Sequence, residues 1–140
     1  MKRYITERKF VLIFAVIVML ITLIPYLVGY WCAGEERVFS GFLFGVEDGN
    51  SYIAKMALGS YGKWLFETPY TAQEQQGVIA FLPYMLLGKL AQPPALHEQL
   101  VALFHGFRMI AGCLMILAVY DFLRLFINSE IIRWLALISA

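Results

Sequence analysis

The segment Phe10–Tyr30 reads FVLIFAVIVMLITLIPYLVGY and contains no charged residue. An apolar stretch of this length crosses the hydrocarbon core of a bilayer, which is ~30 Å thick, as a helix. A helix satisfies its own backbone hydrogen bonds where no water is present. The sequence therefore predicts a transmembrane helix over residues 10–30, and this helix sets the compartment of every later segment.

Basic residues stand on one side of this helix and predict its orientation. Positive charge collects on the cytoplasmic side of membrane proteins. We therefore expect the protein in the plasma (inner) membrane, with residues 1–9 in the cytoplasm. A secretory signal peptide is the alternative, but its apolar region has only about 7–15 residues, and bulky aromatics occupy the cleavage position in Val28–Cys32. The basic residues are Lys2, Arg3, Arg8 and Lys9, against one acid, Glu7.

Composition agrees with a membrane protein, since 61% of residues are hydrophobic and 15% are charged. The net charge is +1 and the basic residues form no stripe, so no nucleic-acid partner is predicted. Cys32 and Cys113 fall at opposing depths, which disfavours a disulfide between them. The chain has no Cys/His cluster of the kind that binds a metal.

A polar, acidic region follows the first helix and is predicted to be an extracytoplasmic loop over residues 31–76. Its many aromatic side chains favour contact with lipid headgroups. Glu47-Asp48-Gly49 predicts a turn, and Asn50 or Ser51 is expected to cap a helix over about Tyr52–Gly59. The acids of the loop are Glu35, Glu36, Glu47, Asp48, Glu67 and Glu74, and the bases are Arg37, Lys55 and Lys63.

The next apolar segment is too short to cross. Thr71-Ala72-Gln73-Glu74 fits a capping box and predicts a helix whose apolar part is Gly77–Gly88. That part covers only ~18 Å at ~1.5 Å per residue, and Pro83 would kink it. We therefore expect a re-entrant or interfacial helix over residues 77–91.

A second crossing helix is predicted over residues 100–127. Arg124 and Arg133 flank its C-terminal end, so positive-inside topology orients it from outside to inside. Residues 131–140 begin a third apolar run. The predicted fold is thus all-α, with polytopic transmembrane helices and an incomplete bundle. We expect the chain to be either the N-terminal part of a larger protein or a subunit whose bundle is completed by helices of another chain.

Four ionisable side chains are candidates for chemistry. Glu47 and Asp48 are adjacent acids near a membrane boundary, where a carboxyl group can act as a general base; the alternative is a turn or cap residue beside a solvated acid. His105 and Arg108 share one helix face. An arginine at this depth can bind a phosphate bidentately, whereas the alternative is an arginine that snorkels to the interface or pairs with a loop carboxylate.

The order of these elements resembles the N-terminal region of the GT-C superfamily of polytopic glycosyltransferases, which includes protein O-mannosyltransferases and the lipid A aminoarabinose transferase. The stretches Glu47–Tyr52, Trp64–Phe66 and Pro69–Thr71 also look similar to bacterial membrane proteins of that kind. The resemblance implies transfer of a sugar from a polyprenyl-phosphate donor to an acceptor on the outer face.

The resemblance also implies residue roles. Asp48 would be the catalytic base, with Glu47 as its alternate, and Arg108 would hold the lipid phosphate while His105 positions it or shuttles a proton. The chain has no Asp-x-Asp motif, so a divalent metal cofactor is not expected, and with so few crossings the chain is expected to be inactive alone. The alternative function is a small non-enzymatic membrane subunit that docks a partner through its outer loop.

Overall fold

The computed structural model describes residues 2–34 and 37–139. Glu35 and Glu36 of the predicted acidic loop lie outside the described residues, as do Met1, Ala140 and the side chains of residues 2–5, which include Lys2 and Arg3 of the basic cluster. The described part is helical and has no strand, which confirms the all-α expectation. Its helices are α1 (Lys2–Ala33), α2 (Val46–Ser60), α3 (Leu82–Gly88), α4 (Leu96–Phe126) and α5 (Glu130–Ser139).

Two of these helices are long and apolar enough to cross a membrane. They are Thr6–Ala33, with 28 residues, and Leu96–Phe126, with 31 residues. At ~1.5 Å per residue they extend over about 42 and 46 Å, which exceeds the ~30 Å hydrocarbon core. Large apolar side chains such as Ile17 on α1 and Leu114 on α4 are exposed along both helices. Continuous apolar surface of this kind marks contact with lipid or another apolar partner.

The chain forms two compact units. The terminal unit contains Met1–Ile24 and Phe107–Ala140, and the central unit contains Pro25–Gly106. Each unit therefore takes one part of α1 and one part of α4, and each has its own core.

The core of the terminal unit lies where α1, α4 and α5 meet. Val11, Tyr120 and Leu137 are buried there, one from each helix. The rings of Phe14 and Trp134 pack edge to face beside them at 5.5 Å between centroids. These contacts use only one stripe of each helix, so the remaining apolar faces stay exposed.

The core of the central unit is built around α2 and α3. A side chain at Gly59 would overlap the Met85 carbonyl oxygen, and one at Gly88 would overlap the Met56 carbonyl oxygen. The two helices therefore approach to backbone contact at a pair of reciprocal glycines. The buried residues of this core are Phe42, Ile53, Met56, Ala91, Leu100 and Val101.

Helix α2 begins earlier than its sequence indicates. The predicted turn at Glu47-Asp48-Gly49 is wrong, because these residues form the first helical turn after Val46. The predicted caps Asn50 and Ser51 are also wrong: the N-cap is Gly45, whose φ of 58° and ψ of 44° are left-handed. Gly49 is buried against the Phe42 ring with no room for a Cβ. The sequence Glu47-Asp48-Gly49 locally favours a turn, and the tertiary contact with Phe42 stabilises it as a helix instead.

The helix predicted from Thr71 is wrong as well. Residues 71–81 are not helical, and Val78 forms an antiparallel bridge with Phe66 instead. The Gln75 side-chain amide reaches Thr68, accepting from its N–H at 2.9 Å and donating to its carbonyl at 3.0 Å. The backbone N–H and carbonyl of Val78, which the predicted helix would have used, are bonded to Phe66 instead.

Only Leu82–Gly88 of the predicted 77–91 segment is helical. Pro83 lies in the first turn of α3, where its missing N–H has no intrahelical role, so the expected kink is absent from this helix. The re-entrant or interfacial position of the segment stays a prediction.

Candidate functional site

The acidic pair Glu47–Asp48 is exposed on the first turn of α2. A Cβ built on Gly45 would lie 3.6 Å from Asp48 Oδ2, so this carboxylate stands beside the N-cap residue. Negative charge is favoured at a helix N-terminus because the unpaired N–H groups and the helix dipole are positive there. Both carboxyl groups are therefore exposed at the surface of the central unit, at the N-terminal end of α2.

The turn that carries these acids is anchored by Phe42. The Phe42 ring fills the space above Gly49 and packs against Phe104 at 5.3 Å and His105 at 5.8 Å between ring centroids. Phe104 and His105 lie on α4. The first turn of α2 thus packs, through Phe42, against the part of α4 that belongs to the central unit. This packing fixes the position of the turn that carries Glu47 and Asp48.

His105 is buried and its ring points toward the segment before α2. Its Nε2 lies 2.9 Å from the carbonyl oxygen of Gly41. A carbonyl can only accept, so Nε2 carries the hydrogen and donates it. The ring also lies 4.5 Å from the Tyr26 ring of α1. The contacts of His105 therefore tie together the chain segments of the central unit, and the predicted phosphate-positioning or proton-shuttle role stays a prediction.

Arg108 follows one turn later on α4 and belongs to the terminal unit. Its guanidinium is half-buried, with Nη2 at 3.5 Å from the carbonyl oxygen of Thr22 on α1. This separation is at the long limit for a hydrogen bond. The structure thus places an arginine side chain among the apolar residues of a long helix.

The four predicted site residues are therefore distributed over both units. Glu47, Asp48 and His105 lie in the central unit, where Phe42 connects the acidic turn to the imidazole. Arg108 lies in the terminal unit.

A buried polar cluster in the terminal unit was not predicted. Glu7 Oε2 accepts from Arg133 Nη2 at 3.2 Å and from the Tyr120 hydroxyl at 3.3 Å. Glu7 and Arg133 are only 8% and 6% exposed. Arg133 Nη1 also donates to the carbonyl of Ile127 at 3.2 Å. The one signal in the sequence was an isolated acid, Glu7, within an otherwise basic N-terminal segment.

Aromatic rings connect α2, α3 and α4 in the central unit. Tyr52 and Tyr84 stack at 4.7 Å, and each stacks with Phe104, at 5.8 and 6.3 Å. Burial raises the pKa of the Tyr84 phenol, and the neighbouring Tyr52 raises it further. Lys55 Nζ lies 4.8 Å from the centroid of the Tyr52 ring and 4.3 Å from that of Phe81, and both are cation–π contacts.

Within residues 2–34 and 37–139 there is no group of three or more His, Cys, Asp or Glu side chains that could hold a metal ion. Cys32 is an exposed free thiol and Cys113 is a half-buried one. Comparison of the chain with protein-family models, curated proteins and solved structures finds no match.

Proposed function

We propose that this chain is the N-terminal membrane part of a glycosyltransferase that takes a sugar from a polyprenyl-phosphate donor on the outer face of the plasma membrane. The observation that carries the proposal is the exposed Glu47–Asp48 pair, held on a rigid helical turn by Phe42. A catalytic base must be held in a defined position and remain open to its substrate, and an exposed acid on a packed helical turn meets both conditions.

The proposal places α1 and α4 across the membrane, with the N-terminus in the cytoplasm and residues 31–76 outside. The length and the exposed apolar faces of both helices support a membrane-spanning position, and the orientation follows from the basic N-terminal residues. The two native thiols test it. A membrane-impermeant maleimide added to intact cells should label Cys32, at the outer end of α1, and leave Cys113 unlabelled. Labelling of Cys32 only after the membrane is permeabilised would reverse the topology.

In the proposed reaction Asp48 accepts the proton of an acceptor hydroxyl. The acceptor oxygen then forms a bond to the anomeric carbon of the sugar, and the bond from that carbon to the lipid phosphate breaks. The phosphate leaves with the bonding electrons. A separate proposal is that Arg108 binds the phosphate of the lipid and stabilises its negative charge. Glu47 is the alternate base. Because Asp48 and Arg108 belong to different units, each role is tested by itself.

The decisive variant is Asp48→Asn in the complete gene product, because the amide keeps the shape of the side chain and cannot accept the proton. Transfer of radiolabelled sugar from a polyprenyl-phosphate donor should fall by about 10²–10⁴-fold, with the protein level unchanged. Glu74→Gln is the matched control, since Glu74 is another exposed acid of the central unit and should transfer normally. Normal transfer by Asp48→Asn would exclude Asp48 as the base.

A second function is favoured by the exposed aromatic side chains of the central unit. Trp64 is 64% exposed and Tyr61 is 72% exposed, and aromatic side chains of this kind dominate binding at protein interfaces. In this case the chain is a non-enzymatic subunit that docks a membrane partner through its outer loop. Trp64→Ala would then abolish co-purification of the partner, while Asp48→Asn would leave it unchanged.

A further inference from the structure

One face of α2 carries a lysine, Lys55, whose ammonium is held by uncharged groups. Its Nζ donates to Ser51 Oγ at 2.9 Å and lies over the rings of Tyr52 and Phe81. The lysine and the serine are both half-buried. Among the described residues, the partners of this ammonium are thus a hydroxyl and two rings, and none is a carboxylate. A half-buried cation in such surroundings attracts an anion from outside the protein.

The hydrogen-bonding groups of Lys55 and Ser51 also favour an anion. A lysine ammonium has three N–H donors and no acceptor. One N–H donates to Ser51, and the serine hydroxyl, which accepts this bond, keeps its own hydrogen for donation. The pair therefore donates more hydrogen bonds than its neighbours accept. A phosphate group has several oxygens that accept hydrogen bonds, and lysine binds phosphate as a point charge.

The other two lysines of the central unit have different partners. Lys63 forms an ion pair with Glu67, so its charge is already matched by an anion. Lys89 donates to the backbone carbonyl of Gly62 at 3.2 Å, and a carbonyl offers no hydrogen to a ligand. Lys55 differs from both because its hydrogen-bond partner is itself a donor.

The proposed base, Asp48, lies on the same face of α2 as this pair. Residues three or four positions apart are neighbours on a helix surface, so Asp48, Ser51 and Lys55 follow one another along the helix. Asp48 and Lys55 are about 10 Å apart along the axis, at ~1.5 Å per residue. The Debye length is about 8 Å at physiological ionic strength, so the exposed Asp48 carboxylate repels an anion at Lys55 only weakly. A molecule bound at Lys55 through an anionic group can therefore extend a hydroxyl to Asp48.

We propose that Ser51 and Lys55 bind a phosphate group of the acceptor. The inference rests on the proposed function and adds the class of acceptor, a hydroxyl compound that carries a phosphate. Ser51 and Lys55 are positioning residues, since they hold the acceptor with its hydroxyl at Asp48 and take no part in the proton transfer. The phosphate belongs either to a soluble molecule or to a lipid headgroup, and the experiment separates these two sources.

The test is amide NMR of the unaltered protein in nanodiscs. In one arm, inorganic phosphate is titrated at constant ionic strength into phosphatidylcholine nanodiscs. In the other arm, the fraction of phosphatidylglycerol is raised without added phosphate. Saturable shifts of the amides of residues 51–55 in the first arm would support a soluble phosphate, and shifts in the second arm alone would support a lipid headgroup. Amides that do not shift in either arm would overturn the proposal.

Variants separate a specific site from general attraction of anions. Lys55→Gln should weaken phosphate binding by about tenfold or more, because it removes a charged hydrogen bond, and Lys55→Arg should restore most of it. Lys63→Gln is the matched control and should bind normally, since Lys63 is paired with Glu67. Equal binding by Lys55→Gln and the unaltered protein would overturn the proposal. If Lys55→Gln does not fold, Ser51→Ala keeps the lysine and both rings, and unchanged binding by that variant would overturn it as well.

The glycosyltransferase proposal and the phosphate-site proposal fail separately. In the transfer assay, Lys55→Gln should raise KM for a phosphate-bearing acceptor by about tenfold or more with kcat unchanged, whereas Asp48→Asn should lower kcat and still bind phosphate. Normal transfer by Asp48→Asn with intact phosphate binding would overturn the catalytic role of Asp48 and leave the phosphate site standing. Loss of phosphate binding in the unaltered protein, with transfer still dependent on Asp48, would do the reverse.

Discussion

The terminal and central units are stabilised by different interactions. In the terminal unit, helices with exposed apolar faces meet at a small core that contains a buried ion pair, Glu7–Arg133. In the central unit, short helices meet through the reciprocal glycines Gly59 and Gly88 and through stacked rings. Apolar faces gain little from meeting each other in lipid, where close packing and polar contacts decide association. In the terminal unit, buried polar contacts therefore specify which helices pair. In the central unit, the close fit of the backbones at the two glycines and the stacked rings specify it.

The largest expected effect comes from breaking the buried ion pair on one side. Arg133→Met removes the buried Arg133 guanidinium from the Glu7 carboxylate, so the free energy of unfolding should fall by about 3–5 kcal/mol. The double variant Glu7→Gln with Arg133→Met should regain most of this loss. Thermal unfolding in detergent measures both. A double variant as unstable as the single one would show that apolar packing, not charge, holds α5.

The next effect tests the glycine contacts of the central unit. Gly59→Ala should lower the free energy of unfolding by about 1–3 kcal/mol or more, because the new methyl group overlaps a backbone carbonyl that cannot move alone. Amide hydrogen exchange in α2 and α3 measures the loss. Gly106→Ala is the control, since a Cβ there meets open space and should raise stability by up to ~1 kcal/mol. Equal behaviour of the two variants would refute the shape argument.

A smaller effect is expected at the hydrogen bond between His105 and Gly41. His105→Leu removes the donor to the Gly41 carbonyl, and a buried group that loses its partner costs about 1–3 kcal/mol. Faster amide exchange around Phe42 and at the start of α2 should reveal it. His97 is exposed on the same helix, so His97→Leu should change nothing measurable. If both substitutions have the same effect, the bond does not position the acidic turn.

The smallest effect is expected at the exposed ion pair of the terminal unit. Arg8 Nη2 lies 3.2 Å from Asp121 Oδ2, and both side chains are about a third or more exposed. Asp121→Asn should therefore lower stability by at most ~1 kcal/mol, and the difference should vanish in high salt. Comparison of its melting curve with that of Arg133→Met separates the role of burial from that of charge. A loss as large as that of Arg133→Met would contradict this distinction.

Several features of the fold and site followed from local sequence, and others did not. The apolar length of Phe10–Tyr30 was enough to predict α1, since a long uncharged stretch has few other stable structures in a membrane. The helix that the capping-box pattern at Thr71 predicted does not form, because the backbone of Val78 pairs with Phe66 across the loop. The pairing of Glu7 with Arg133 could not be predicted, because 126 positions separate the two residues.

The candidate site shows the same division. The sequence marked Glu47 and Asp48 as adjacent acids, but their local pattern indicated a turn. Only the contact between Phe42 and Gly49 places them on a helix, and only the fold turns His105 toward Gly41.

By itself, the sequence determined that the chain is helical and has two helices long enough to cross a membrane, because apolar length and helical hydrogen bonding are properties of one segment. The tertiary structure alone decided where α2 begins, which acid Arg133 pairs with and how Gly59 and Gly88 approach their neighbours. These features depend on atoms brought together from distant parts of the chain, and packing energies between such atoms outweigh the small local preferences of a turn or a cap.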